Sequence, residues 1–229
     1  MTHPLDRPVW SALTSRQAHL AVGGKRARRF APGYGIFAAV AADSPESWAA
    51  LKAINPPDGG LMLMEVTDID LPPDVPVAQH GLGVQMVADA ITPGGPEPDF
   101  IELGDADAAE MLALATLTQP GPFFESTHRL GGFIGVRIDG RLAAMAGERM
   151  KPEGFTEVSG VCTHPDFRGR GLGAALSRVV ANRILARGET PFLHAWHDNA
   201  AAIGLYERLG FRLRTKVNVA VLGPAEVAV

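Results

Sequence analysis

Cysteine is almost missing from this chain. Cys162 is the only one among 229 residues, which excludes a disulfide within the chain and fits a reducing compartment. Long apolar runs are missing as well. No stretch approaches the roughly 18 apolar residues of a membrane span, so no membrane partner is expected. The opening, Met1 to Trp10, has no positive region followed by an apolar run. No signal peptide is therefore expected, and the cytoplasm is the default location. Basic charge is not in excess: 21 Lys and Arg stand against 25 Asp and Glu, for a net charge of −4. Nucleic-acid binders are usually basic, so no nucleic-acid partner is expected. The remaining composition, 46% hydrophobic and 20% charged, is that of a globular protein able to bury a core without staples. The length allows one large domain or two small ones.

Twenty-six glycines and 18 prolines cut the chain into short pieces. They gather at residues 55–60 (NPPDGG), 71–76 (LPPDVP) and 92–98 (TPGGPEP). The last cluster forbids a continued helix or a central strand. It sets an expected boundary between an N-terminal α+β region, 1–97, and a second domain, 98–229. The first region is weakly patterned. Residues 8–21 read as a helix, Tyr34 to Val40 as a strand, and Ser44 as the cap of a helix carrying Trp48 and Leu51. Leu61 to Val66 and Leu82 to Val87 read as strands, with Trp48, Met62 and Met64 as core residues.

The second region is better patterned. Phe100 to Leu103 reads as a short strand, and Asp107 and Glu110 have the spacing of a capping box opening a helix to about Leu117. Asp139-Gly140 is a two-residue hairpin signal between Gly132–Ile138 and Arg141–Glu148. Phe155 to Thr163 is a strand. A helix from Gly171 to Arg187 puts Leu172, Leu176, Val179, Val180 and Ile184 on one face. Phe192 to Trp196 is a strand, and Asn199 to Leu209 is a helix closed by Gly210. Phe211 to Val221 alternates Phe211, Leu213, Val217, Val219 and Val221 inward, with Thr215 out of pattern. The order β-α-β-β-β-α-β-α-β predicts an α+β fold with a mixed sheet flanked by helices.

The sharpest feature is residues 163–173, THPDFRGRGLG. A strand ends, a proline turns the chain, and a glycine-rich stretch opens a helix. The first helical turn has four N–H groups without partners and a partial positive charge. Glycines let the backbone approach a ligand, so the stretch suits a phosphate or pyrophosphate. Arg168 and Arg170 add positive charge there. The stretch is not a P-loop, and Gly169, Gly171 and Gly173, spaced two apart, do not make a dinucleotide-binding fingerprint. A surface turn before an ordinary helix is the plain alternative for this cluster alone.

The pattern Arg168-x-x-Gly171-x-Gly173 resembles the acyl-CoA signature of the GNAT superfamily of N-acyltransferases. A second motif continues the resemblance: Asn199-x-x-Ala202-x-x-x-Tyr206-x-Arg208-x-Gly210-Phe211. The match is specific over residues 155–215 and looser over 100–154. The N-terminal region is similar to a degenerate GNAT-like half placed before an FR47-like second half. The resemblance implies a mainly antiparallel sheet and acetyl-CoA as cosubstrate, with no metal. It implies coenzyme contacts from the backbone of Val161, Cys162 and Thr163, and from the loop and helix start at Arg168, Gly169, Arg170, Gly171, Leu172, Gly173 and Ala174. Asn199, Ala202 and Tyr206 would lie beside the pantetheine arm, with Asn199 also free to cap its helix.

Transfer of an acyl group to an amine needs a proton taken from the amine and a departing thiolate quenched. Tyr206 is the candidate general acid; a packed core tyrosine is its plain alternative. Glu157 and Glu148 are candidate bases, acting directly or through water, against the alternative of solvated carboxylates. Many family members have no dedicated base. Cys162 reads as a small packing residue.

Three other features carry less. The basic run Lys25 to Arg29 reads as a solvated face, although it could meet a nucleic acid or the 3′-phosphate of coenzyme A. His194 and His197 could form a metal pair, but two histidines without a third ligand are more often core or rim residues. The loop Gln119 to Phe124 either shapes an acceptor pocket, with Phe123 or Phe124 lining it, or simply connects. The expected activity is acetyl transfer to a primary amine of a small molecule or amino acid, by direct attack in a ternary complex, in a monomer or homodimer. The alternatives are a non-catalytic acyl-CoA sensor, a peptide or protein amine acetyltransferase, and a nucleotide-phosphate enzyme, which would need a lysine and acidic ligands that the motif lacks.

Overall fold

A computed structural model describes residues 3–58, 60–95 and 98–224. The N-terminal region begins with helix α1 (Pro8–Thr14), then a small antiparallel sheet of β1 (Ala21–Gly23), β2 (Ala27–Phe30) and β3 (Ala38–Val40). Helix α2 (Pro45–Ile54) and strands β4 (Met62–Glu65) and β5 (Val77–Val87) follow. The rest runs β6 (Ile101–Leu103), α3 (Ala108–Thr118), β7 (Phe133–Ile138), β8 (Arg141–Glu148), β9 (Phe155–Thr163), α4 (Leu172–Ala186), β10 (Thr190–Trp196), α5 (Ala200–Arg208) and β11 (Arg212–Leu222). That order matches the one expected for the second region.

Strands β4 to β11 form one sheet in the order β4-β11-β5-β10-β9-β8-β7-β6. Only β9 and β10 pair in parallel; every other neighbouring pair is antiparallel. The fold is therefore α+β with a mainly antiparallel sheet. Helix α4 buries Leu176, Val179, Val180 and Ile184 against one face, with Met86, Ile134 and Leu193 beneath. The other face carries Phe192, Val217 and Val219, covered by α1, Phe30 and Phe37 of the N-terminal region. Each of these side chains contributes about 1.5–3 kcal/mol on burial.

Two expectations need correction. The break near residue 98 does not divide the sheet, because β11 lies between β4 and β5 and pairs with both. The helix expected over residues 8–21 stops at Thr14. The hydroxyls of Thr14 and Ser15 bond back to the carbonyls of Trp10 and Ser11, competing with the helix, and the Gln17 amide donates to the Arg149 carbonyl.

Smaller differences follow from local chemistry. Only Ala38–Val40 of the strand expected over 34–40 forms. The Asp107–Glu110 pair is not a capping box: the Asp107 carboxylate accepts from the Gly104 amide, and Glu110 accepts from the Leu142 amide. Asp139 and Gly140, with φ of 51° and 77°, make the expected tight hairpin turn. Thr215 breaks the alternation because β11 bulges between Leu213 and Thr215. Arg214 is the extra residue, and Leu213 turns outward, exposed rather than buried.

A second bulge positions the site. Between Met145 and Gly147 of β8, β9 has two residues, Gly160 and Val161, opposite one. Gly160 has φ of +63°, and a Cβ there would lie 2.7 Å from the Phe133 ring. Gly160→Ala is expected to destabilise the fold by about 2–4 kcal/mol, combining a left-handed backbone with overpacking. A lowered urea midpoint at constant m-value would record it.

Candidate active site

The parallel pairing of β9 with β10 lasts for three residues, Phe155 to Glu157. From Val158 onward β9 has no partner on that side, so the two strands part. Val161 and Thr163 continue towards the start of α4, where a Cβ on Gly173 would lie 3.5 Å from Thr163 Oγ1 and 3.6 Å from Val161. Gly173 has no positive φ, and a Cβ there would sit in ordinary van der Waals contact with the end of β9. Gly169 and Gly171 differ, with φ of +78° and +73°, a turn that favours glycine. Gly171 caps α4 without a side-chain hydrogen bond, and the first helical bond runs from Ala175 N–H to its carbonyl. The amides of Leu172, Gly173 and Ala174 thus face outward with no helical acceptor. Arg168 and Arg170 are exposed beside them, with the Arg170 guanidinium 5.3 Å from the Phe167 ring centroid. This is a seat suited to a pyrophosphate.

A cleft of about 210 Å³ opens where the strands part. Val161, Asn199, Ala202 and Tyr206 line one wall. Asn199 caps α5, its Oδ1 accepting from the Ala202 amide at 3.1 Å. Burial pushes the Tyr206 phenol up to about 12, so it stays protonated at neutral pH. Among the described residues no hydrogen bond engages that hydroxyl. The Gln119–Pro122 loop forms a second wall. It follows α3, which ends at Gln119 in a left-handed conformation before Pro120. Phe123 does not line the cleft but packs edge-on against Phe133, 5.6 Å between centroids. Phe37, Met62 and Met64 of the N-terminal region complete the floor.

The two candidate carboxylates are both engaged. Glu157 is fully buried. Its Oε1 accepts from Arg149 Nη2 at 2.8 Å and from His194 Nδ1 at 2.7 Å, and its Oε2 from Arg149 Nε at 2.8 Å. The Met150 amide adds a fourth contact at 3.2 Å. Burial alone would raise its pKa, but the Arg149 guanidinium and the His194 donor outweigh that and hold it well below the usual range. Glu148 pairs with Arg187 at 2.7 Å and Lys151 at 2.8 Å, outside the cleft.

Composition and spacing did not single out Arg149, Gln85 or Arg214. With Glu157 and His194 they form a polar row across four adjacent strands. Gln85 on β5 donates to the Leu5 carbonyl at 2.9 Å and accepts from Arg214 Nη1 at 2.9 Å, which fixes its amide orientation. Its amino group therefore faces His194 Nε2 at 3.1 Å, so that nitrogen accepts and Nδ1 carries the hydrogen. Arg214 closes the row on Asp6. The available signal was the inward register position of Gln85 and His194, which face each other across β5 and β10.

The remaining expectations resolve simply. Cys162 is buried among Phe133, Met145 and Leu142, and burial pushes its thiol up to about 11. His197 turns away from His194, to the Leu82 carbonyl. The basic run forms the β1–β2 hairpin, where Arg28 bonds to the carbonyls of Gly24 and Leu13 rather than simply facing water. No helix among the described residues is long and apolar enough to cross a membrane.

Comparison with known proteins agrees with this geometry. Residues 133–220 match the family model described as FR47-like protein. A solved structure from Novosphingobium aromaticivorans, assigned to the GNAT family as an acetyltransferase, is 47% identical with a TM-score of 0.90, covering 97% of this chain and 99% of that one. The chain belongs to the GNAT family of acetyltransferases. Among curated proteins, the mycothiol acetyltransferase of Streptomyces avermitilis is 29% identical over 222 residues, covering 92% of this chain and 66% of that protein. The chain thus spans just under two thirds of the length of that relative. A GCN5-related N-acetyltransferase from Kribbella flavida, 19% identical, has the same fold at a TM-score of 0.61, covering 92% of this chain and 95% of that one.

Glu157→Gln leaves the Arg149 guanidinium without its counter-charge and is expected to cost about 3–5 kcal/mol at pH 7. Because the folded pKa of Glu157 is depressed, its contribution is complete above its unfolded value of about 4.3 and drains away as pH falls. The gap between wild type and variant in urea denaturation should therefore narrow below about pH 4.

Proposed function

We propose that this chain transfers an acetyl group from acetyl-CoA to the primary amine of a small molecule or amino acid held in the cleft, by direct attack in a ternary complex. The observation that carries the reading is the parting of β9 from β10 beside an uncapped α4. Few other folds give both a free strand edge and an open helix start next to one cleft. The outward amides of Leu172, Gly173 and Ala174, with Arg168 and Arg170, hold the pyrophosphate. The free edge at Val161–Thr163, with Asn199 and Ala202, holds the pantetheine arm. Acetyl-CoA supplies an acyl group already activated as a thioester.

Tyr206 is the proton donor to the departing sulfur. Burial weakens the phenol as an acid, but the same loss of water raises the basicity of a thiolate formed beside it, so the two remain matched. Glu157 has no free lone pair for the amine, and Glu148 lies outside the cleft. Glu157 is a positioning residue, and the amine proton leaves through water in the open cleft. The cytoplasm remains the expected compartment, supported by a single buried thiol.

Titration calorimetry with acetyl-CoA, with ATP–magnesium and NAD as controls, tests the cofactor. Selective binding of acetyl-CoA is expected; binding of ATP or NAD instead would sink the reading. A bulky residue at Gly171 or Gly173 should abolish acetyl-CoA binding. Tyr206→Phe should lower kcat by about 10²–10⁴ while leaving acetyl-CoA affinity within a few fold. Equal losses in both would make Tyr206 a packing residue.

A further inference from the structure

Arg149 is the one formally charged residue among those lining the cleft. Its residue is 8% exposed, and its guanidinium lies 4.5 Å over the Phe37 ring. Nε and Nη2 are both spent on Glu157. Nη1 has no hydrogen-bond partner among the described residues and faces the Gly121 turn of the cleft wall, where a Cβ on Gly121 would lie 3.9 Å from it. Nη1 is thus the guanidinium donor left free to meet a group in the cleft. The polar row behind Arg149 holds it in place, strand by strand, back to Asp6 on the N-terminal segment.

The charge of this network is already balanced. Arg149 is matched by Glu157, and Arg214 by Asp6. His194 donates from Nδ1 to Glu157 and accepts at Nε2 from the Gln85 amino group. A carboxylate bound at Nη1 would give up water for a guanidinium that Glu157 already matches, with no second cation among the cleft-lining residues, which is costly. A neutral carbonyl gains a charge-assisted hydrogen bond without that cost. Arg149 and Tyr206 line the same cleft of about 210 Å³, so a carbonyl at Nη1 and an amine reacting beside Tyr206 can belong to one short acceptor.

We propose that Arg149 Nη1 determines acceptor specificity by binding a neutral carbonyl beside the amine, so that the preferred acceptors are α-amino amides rather than free amino acids or plain amines. The proposal rests on the reading of the cleft as the acceptor site.

Three probes with one carbon skeleton test it: alaninamide, alanine and isopropylamine, with rates compared per unprotonated amine. Alaninamide is expected to have a kcat/KM about tenfold or more above both others, the difference lying mainly in KM. Arg149→Lys keeps a charge for Glu157 but removes Nη1, and should erase the preference with kcat changed far less. Should that variant not fold, the wild-type ranking decides alone. Equal values for alaninamide and isopropylamine, a preference for alanine, or no turnover of any of the three would each overturn the proposal. Binding of the three amines is followed by NMR titration without coenzyme, and acetyl-CoA binding by calorimetry. Loss of coenzyme binding with amide selectivity retained would sink the acetyltransferase reading alone. Coenzyme binding without amide selectivity would sink this proposal alone.

Discussion

The parallel pairing between β9 and β10 ends after three residues, and the cleft exists because it ends there. A continuous ladder would have buried the β9 edge in backbone hydrogen bonds and left no slot. Two features keep the strands apart. Gly160 and Val161 bulge on the β8 side and bend β9, and α4 starts directly after the loop that follows β9. The edge left open is short and flanked by helices, so it does not act as a general template for pairing with another chain. An interruption that would weaken an ordinary sheet here opens the cleft proposed to take the ligands.

The polar row solves a different problem. A sheet carrying Glu157, His194, Gln85 and Arg214 on an inward face has to satisfy every one of their polar atoms. Each residue answers its neighbour, and the row ends in two matched charge pairs. The N-terminal region supplies Asp6, the Leu5 carbonyl and Phe37 to this arrangement. It also supplies Met62 and Met64 to the floor of the cleft. The region that had no recognisable motif therefore builds one side of the cleft, the proposed acceptor side, while the motif-bearing residues line the side proposed for the coenzyme.

That division explains what could be read from the sequence. Elements with strong local signals emerged with small errors at their ends: the Asp139-Gly140 hairpin, the amphipathic α4, and the Asn199 cap of α5. The glycine loop was legible because positive φ and an uncapped helix start leave marks in composition. The carboxylates were seen but not their partners. Nothing in the spacing of Glu157, Arg149 and His194 says that a guanidinium and an imidazole will meet one carboxyl group across three segments. The N-terminal helix was drawn too long because Gln17, which looks like an ordinary helical residue, is claimed by the backbone at Arg149 and Lys151. The loop aromatic Phe123 was weighed as a wall of the pocket, yet Phe133 holds it in the core.

The place of β11 bears on how the molecule is made. Among the described strands it is the last to leave the ribosome, yet it fills the slot between β4 and β5. Until then those two strands have no neighbour to join them, and the Met62–Val221 pairing must close a loop of most of the chain. Long-range pairings of this kind are entropically slow to form. The cleft floor, built from both β4 and β11, is therefore completed only once β11 has emerged. A nascent chain could carry a finished glycine loop while its acceptor side is still open, and in that interval the unpaired edges of β4 and β5 are the surfaces most in need of protection from aggregation.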